Sequence, residues 1–378
     1  MPVVSVIFNG ALAPKGGPSG YLYNLQQSID KSGVDSIYIL TPPAHGQKVA
    51  FSHAAFWQRH LIVPDFIKLK RQLGAYKALL SHHQKIVESS KILHFHTTMD
   101  MYAFAKIYDI SKHHVVLMSH SPTLSHIENY QAALAQGYSK LKALDIKRFK
   151  KRVDTFAFSH ADTILFPCEG ADESYRVFFA QNKIDTAKIR YLLTSTMPLV
   201  PKMSREDFRV AHHIPQDAIV AGYVGRKSHI KGYDIFCETA KKFKDEKRYF
   251  FLAAGVGDIA SPHQNNFLDL GWSDDPASII NACDAVAVPN RETYFDLGII
   301  QALSLNRHVI TTKTGGNRWF VGRCEGVHLL ENADELSACL QECDFAQEPH
   351  TRELYEAHFS NRDFASRYEV FYKGLLAP

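Results

Sequence analysis

Ala285-Val286-Ala287-Val288 is a four-residue apolar run that stops at Pro289, and it narrows the folds open to this chain. A strand buried on both faces reads as a continuous apolar run, and proline cannot extend its hydrogen-bond ladder. A polar segment, Asn290 to Asp296, comes next, then a helical pattern from Leu297 to Leu305. A β-branched run from His308 to Thr312 leads into Gly315-Gly316. Strand, polar loop, helix and strand in that order make a βαβ unit, and such units build an α/β domain around a parallel sheet. Ligands of open sheets of this kind bind at the carboxyl ends of the strands. Free N–H groups at the start of the helix near Leu297 point into that crevice and suit a phosphate.

The same alternation runs through the chain. Val3–Phe8, Ser36–Leu40, Lys91–His96, Val115–His120 and Thr155–Phe166 read as strands of one half, and Ala218–Gly225, Tyr249–Gly255 and Asn266–Gly271 as strands of the other. A length of 378 residues favours two domains. Tyr191–Pro201 reads as the linker, and Thr41–Pro64, without a clear period, as a specificity insertion. In the closing helix, Asn361–Leu376, Phe364, Tyr368, Phe371 and Tyr372 form a core stripe.

The 46% hydrophobic and 22% charged fractions are those of an ordinary globular protein, and a formal charge of +4 does not call for a nucleic-acid partner. None of the six cysteines forms a CxxC pattern. Cys339 and Cys343 share a helix face at i, i+4, but without histidine partners they read as packing residues. Val3–Phe8 is too short for a signal core, and no apolar run approaches the ~20 residues of a membrane span, so a cytoplasmic location is expected.

Two loops carry phosphate chemistry. Gly225 ends a strand, and Arg226 and Lys231 follow it five positions apart. Two cations beside a backbone that permits close approach are what a leaving pyrophosphate requires; Arg grips oxygens bidentately while Lys acts as a point charge. The competing reading is a surface-charged βα turn. Lys15–Gly20, with Gly16, Gly17 and a capping Ser19, is either a tight βα connection or a place where backbone nears a phosphate or sugar. Lys91–His96 and Val115–His120 each end in histidine; His94 reads as a polar residue at a strand tip, and a zinc site from His94, His96 and His120 lacks an acidic or Cys fourth ligand. Tyr138–Arg152 is a helix with seven Lys and Arg residues interleaved with Leu141, Leu144, Ile146 and Phe149, either a solvated face or a surface for anionic lipid.

Pro289, Phe295, Leu297, the run Gln301-Ala302-Leu303-Ser304 and Gly315-Gly316 together resemble the sugar-nucleotide loop of retaining glycosyltransferases with the two-domain GT-B fold, most closely the group called family 4. That pattern is a Glu, an aromatic-Gly-Leu, and a second Glu eight positions after the first. Aligning Phe295 and Leu297 puts Thr293 at the first Glu and Gln301 at the second, while Glu292 sits one position early. The resemblance implies an α/β fold of two doubly wound Rossmann-like domains facing a cleft. Residues 1–195 with the helix 361–378 are expected to bind the acceptor, and 200–358 the sugar nucleotide. It implies transfer, with retention, from a nucleotide-sugar, UDP-linked by expectation, to a glycan, with lipid-linked, polysaccharide and lipopolysaccharide acceptors as candidates. Arg226, Lys231, His120 and Glu292 become the catalytic set. Gly16, Gly17, Gly225, Gly271, Trp272, Thr293, Tyr294, Phe295, Asp296, Leu297 and Gln301 become the donor-binding set, with Trp272 either stacking on the base or packing at the core edge. No cofactor and no metal is called for, and the 138–152 helix is a candidate contact with the inner face of the cell membrane. The altered glutamates keep two alternatives open: a non-catalytic GT-B subunit that binds a glycan or another transferase, and a sugar-nucleotide 2-epimerase.

Overall fold

The parallel runs assemble into two separate six-stranded sheets. The computed structural model describes residues 3–14, 17–43 and 59–377; Gly16 and most of the irregular segment after Thr41 lie outside them. The chain divides into one unit of Met1–Pro167, Asp172–Leu192 and Asn361–Pro378, and a second of Cys168–Ala171 and Leu193–Ser360.

In the first unit the strands are β1 (Val4–Ile7), β2 (Ile37–Leu40), β3 (Ile92–Phe95), β4 (His114–Met118), β5 (Thr163–Phe166) and β6 (Ile189–Tyr191). Their order is β2-β1-β3-β4-β5-β6, every pairing parallel. β1, β3 and β5 are buried along their whole length, and their mainly apolar runs take in the buried Ser5, His94 and Thr163, so His94 is an interior residue of β3 and not the polar strand tip its position suggested. The closing helix, Phe364–Leu375, lays Phe364, Tyr368 and Tyr372 on the core of this unit, and the Tyr21 and Tyr368 hydroxyls share a hydrogen bond of 2.7 Å. That stripe is core, as its spacing implied.

The basic helix is longer than its sequence suggests. It runs Lys140–His160, with Ser139 capping it through the Lys142 N–H, and only Thr163–Phe166 is strand. Thr155 to Phe158 is β-branched and aromatic and so reads as strand. Yet Phe149, Val153, Ala157 and Phe158 recur at helical spacing and are all buried, and that packing decides the outcome. Of the four interleaved apolar residues, Leu141 is exposed and Phe149 is in the core. No helix among the described residues is long and apolar enough to cross a membrane.

In the second unit the strands are β7 (Ile219–Val224), β8 (Tyr249–Ala254), β9 (Phe267–Asp269), β10 (Ala285–Val288), β11 (His308–Thr312) and β12 (Val327–Leu330). The order β12-β11-β10-β7-β8-β9, again wholly parallel, is the doubly wound dinucleotide-binding order. The order reverses between β7 and β10, the position at which open sheets of this kind bind their ligands. Both sheets bear out the expected fold class.

Candidate active site

The loop after β7 begins at Gly225, whose N–H extends the ladder by donating to the Ala254 carbonyl at 3.0 Å. The buried Tyr223 hydroxyl donates to the Arg226 carbonyl at 2.6 Å and so pins the turn. Gly232 closes it in the left-handed region, φ 68°, and opens the helix Tyr233–Lys242. A Cβ at Gly232 would stand 2.0 Å from the Pro289 carbonyl oxygen, so only glycine lets this loop press against the end of β10. Arg291 then ties the two loops together. Its N–H donates to Ile230 O at 2.9 Å, and its guanidinium grips both Asp234 oxygens at 2.8 and 2.7 Å.

Between these loops lies the central contact. Lys231 Nζ stands 2.6 Å from Asp296 Oδ2, and Asn290 Nδ2 donates to the same oxygen at 2.7 Å. The other oxygen of Asp296 accepts from the Gly298 N–H at 2.9 Å, which makes Asp296 the N-cap of the helix Leu297–Ser304. Burial pushes the Asp296 carboxyl up, but the Lys231 ammonium, its hydrogen bond, Asn290 and the Gly298 N–H outweigh burial and hold it below the usual carboxylate value. The helix start expected to meet a phosphate therefore already holds an anion of the chain's own. The family pattern has glycine between its aromatic and Leu, the place Asp296 fills here. Arg226, by contrast, is exposed, and its guanidinium makes no ion pair among the described residues.

The remaining donor-loop residues divide sharply. Glu292 is exposed, whereas Thr293, Tyr294 and Phe295 are buried. Phe295 stacks on Phe320 with ring centres 5.7 Å apart and meets Phe359 at 5.8 Å, so it anchors the loop rather than offering a surface. Gly315, at φ 50°, faces the backbone of the same loop: a Cβ there would lie 2.0 Å from the Thr293 carbonyl oxygen. Gln301 is half-buried, outside the apolar stripe that Ile299, Ile300, Ala302 and Leu303 turn inward.

On the other side of β7, Asp269 organises the turn after β9. It accepts from Lys227 at 2.5 Å, from the Ser261 hydroxyl at 2.5 Å and from the Gly271 N–H at 2.8 Å. Gly271 takes φ 63°, and Trp272 beyond it is 77% exposed, which removes the core-edge reading of this ring and leaves its face open for stacking. Lys227, Asp269, Asn290 and the Arg291–Asp234 pair were not singled out from the sequence. The adjacency of Lys227 to Arg226 and of Asn290 to the strand-ending Pro289 were the signals available.

In the first unit, His120 follows β4 and belongs to a stack. His96 Nδ1 and His120 Nε2 share a hydrogen bond of 2.7 Å, the two rings lie 5.0 Å apart, and His94 stacks on His96 at 4.3 Å while bonding the Tyr372 hydroxyl at 2.7 Å. Burial pushes His94 and His120 down to about 3 and His96 well below the ordinary imidazole value. All three are neutral at neutral pH, so His120 can offer a hydrogen bond but not an acidic proton. Gly17 is exposed at φ 73° and opens the helix Gly17–Ser32. Ser19 does not cap that helix as expected; its hydroxyl turns back to the Ala11 carbonyl at 2.5 Å.

Residues 218–349 match the family model described as Glycosyl transferases group 1, which covers β7 to β12 and every contact around Lys231 and Asp296. The expected family resemblance holds there. The O-antigen biosynthesis glycosyltransferase WclY of Escherichia coli is 23% identical over 189 residues, 45% of this chain and 51% of WclY. The chain thus spans about half the length of the curated relatives it matches. Over nearly the whole chain the fold is that of solved GT-B structures. Sucrose-phosphate synthase of Thermosynechococcus elongatus superposes with a TM-score of 0.68 at 18% identity, covering 99% of each chain. Anabaena HepE in complex with UDP and glucose gives 0.63 at 12% identity, covering 99% of this chain and 100% of the other.

Proposed function

We propose that the chain is a retaining glycosyltransferase that takes a nucleoside-diphosphate sugar on its second unit and passes the sugar to a glycan hydroxyl. One observation carries the reading: Lys231, in the loop after β7 that also carries Arg226, meets Asp296 at the N-terminus of the helix after β10, inside the segment that matches group 1 glycosyl transferases. In the reaction the bond from the anomeric carbon to the β-phosphate oxygen breaks, and a bond to the acceptor oxygen forms on the same face. The acceptor proton passes to the departing diphosphate, and the products are a glycoside and a nucleoside diphosphate. The protein's share is positioning and charge: Arg226 holds phosphate oxygens bidentately, Lys231 adds a point charge, and N–H groups near Leu297 add the helix dipole. Glu292 serves a sugar hydroxyl, Gln301 accepts from the ribose, and Trp272 lies against the base. His120, kept neutral by burial, suits a hydrogen bond to a sugar hydroxyl. No step calls for a metal.

The UDP held by HepE supports a uridine donor, and the part of WclY in O-antigen biosynthesis supports a polysaccharide acceptor of the O-antigen kind. Leu141, Arg148 and Arg152, spaced seven and four apart and all exposed, support contact of the basic helix with anionic lipid. Charge reversal at Arg148 and Arg152 should release the protein from anionic vesicles at low salt; a wild type that ignores such vesicles leaves only a solvated face.

A second reading, a non-catalytic subunit that binds glycan, is favoured by Asp296 and Gln301, which place an anion in the phosphate position and an amide in the ribose position. Incubation with a panel of nucleotide-sugars and glycan acceptors, read by mass spectrometry, separates the two. Nucleoside diphosphate and glycoside appearing together support the transferase; an unchanged panel supports the subunit; an isomerised donor without acceptor would mean an epimerase.

A further inference from the structure

Cys339 lies in the helix Leu336–Glu342 and Cys343 caps its carboxyl end, which brings the two sulfurs to 3.5 Å. β12 supplies the partner that spacing alone does not show. His328 sets Nδ1 3.3 Å from the Cys343 sulfur, and the ligand atoms of Cys339, Cys343 and His328 all lie within 4.8 Å of one another. In a tetrahedral zinc site, metal–sulfur and metal–nitrogen bonds of about 2.3 and 2.0 Å put sulfurs about 3.8 Å apart and sulfur about 3.5 Å from nitrogen. The three atoms are within a few tenths of an ångström of that triangle along both measured edges.

His328 is oriented from behind. His308 Nε2 lies 3.1 Å from the Gln347 carbonyl, which only an N–H can serve, so His308 Nδ1 carries the lone pair. That nitrogen lies 3.1 Å from His328 Nε2, which must hold the proton. His328 Nδ1 is then a lone pair facing the sulfurs. A carbonyl-to-imidazole relay of this kind fixes the tautomer of a metal-ligating histidine. Burial keeps both imidazoles neutral, with His328 down to about 4, and the ring of Phe345 covers them edge-on at 5.2 and 5.8 Å.

We propose that Cys339, Cys343 and His328 bind one divalent ion of the zinc class. Two thiolates and an imidazole select a borderline-soft metal over magnesium or calcium, and binding displaces two thiol protons to solvent. Cys343 and His328 are part-exposed, which leaves the fourth position to water. His308 begins β11, so the cluster sits toward the amino ends of the strands, while Lys231 and Asp296 sit beyond the carboxyl ends of β7 and β10. The ion would fasten the helix to edge strand β12 without entering the transfer chemistry.

The test is titration of the full-length, phosphine-reduced protein with zinc(II) against a chromophoric chelator, and with cobalt(II) for thiolate-to-metal charge-transfer bands. The expected result is one equivalent of zinc, tetrahedral cobalt bands, and no competition from magnesium. Cys339→Ser, Cys343→Ser and His328→Gln should each weaken zinc by more than ~100-fold, and His308→Phe by roughly 10- to 100-fold. Cys324→Ser, outside the cluster, should leave it unchanged. The wild-type cobalt spectrum needs no variant to fold. Absence of zinc from the reduced wild type, zinc retained by the double variant Cys339→Ser/Cys343→Ser, or cobalt bound without sulfur bands would overturn the assignment.

Discussion

Lys231 and Asp296, 65 residues apart in sequence, form an ion pair of 2.6 Å between the loops that leave β7 and β10, where the proposed function puts the donor diphosphate. An arriving diphosphate must share that ammonium with a carboxylate held ionised below its usual range. Repulsion between like charges at such a part-buried position amounts to about 1 to 3 kcal/mol at an effective dielectric near 20. Asp296→Asn keeps a capping oxygen for the Gly298 N–H and removes the charge. It should tighten UDP roughly tenfold in calorimetry, about 1.4 kcal/mol. Weaker UDP binding in this variant would mean that Asp296 positions Lys231 for the phosphate instead of opposing it.

In the proposed function Gln301 takes the place of the second family glutamate and accepts from the ribose. A carboxylate accepts hydroxyl hydrogen bonds about twice as strongly as an amide. Gln301→Glu should therefore tighten the nucleoside diphosphate by about 1 kcal/mol and keep turnover, while Gln301→Ala should weaken it by a similar amount. Equal affinity in all three proteins would show that Gln301 faces away from the ribose.

Much of this was legible in the sequence, for particular physical reasons. Ala285–Val288 and Ile219–Val224 read correctly because strands buried in a parallel sheet favour apolar runs, and Gly315 because a Cβ there would meet the Thr293 carbonyl oxygen. Thr155–Phe158 misled because β-propensity competes with a helical face that exists only once Phe149 and Val153 are packed. The Lys231–Asp296 and His328–Cys343 contacts were hidden because each joins different loops or elements, and periodicity carries no information on pairing across a fold.

The stacked histidines of the first unit predict acid lability. Burial holds their folded pKa values below the free value of 6.5, at about 3 for His94 and His120 and well below it for His96. Above pH 6.5 folded and unfolded chains bind equal numbers of protons at these sites. As pH falls below it, the unfolded chain takes up protons that the folded chain refuses, so stability declines until the pH nears 3. Each imidazole contributes a slope of about 1.4 kcal/mol per pH unit in that window. Urea unfolding followed between about pH 7 and about pH 5 should show a steep loss, and His94→Phe should remove one imidazole's share of it, about 1.4 kcal/mol per pH unit. A stability that is level across this range would contradict the neutral stack.

The central claim is that the cations beside Gly225 stabilise a departing diphosphate, and the most direct measurement is kcat/KM for nucleoside diphosphate release with the preferred donor and acceptor. Arg226→Ala and Lys231→Ala should each lower it by about 2 to 4 kcal/mol in transition-state free energy, roughly 30- to 1000-fold, with the loss mainly in kcat. Values near those of the wild type in both variants would contradict the account and remove the β7 loop from the reaction.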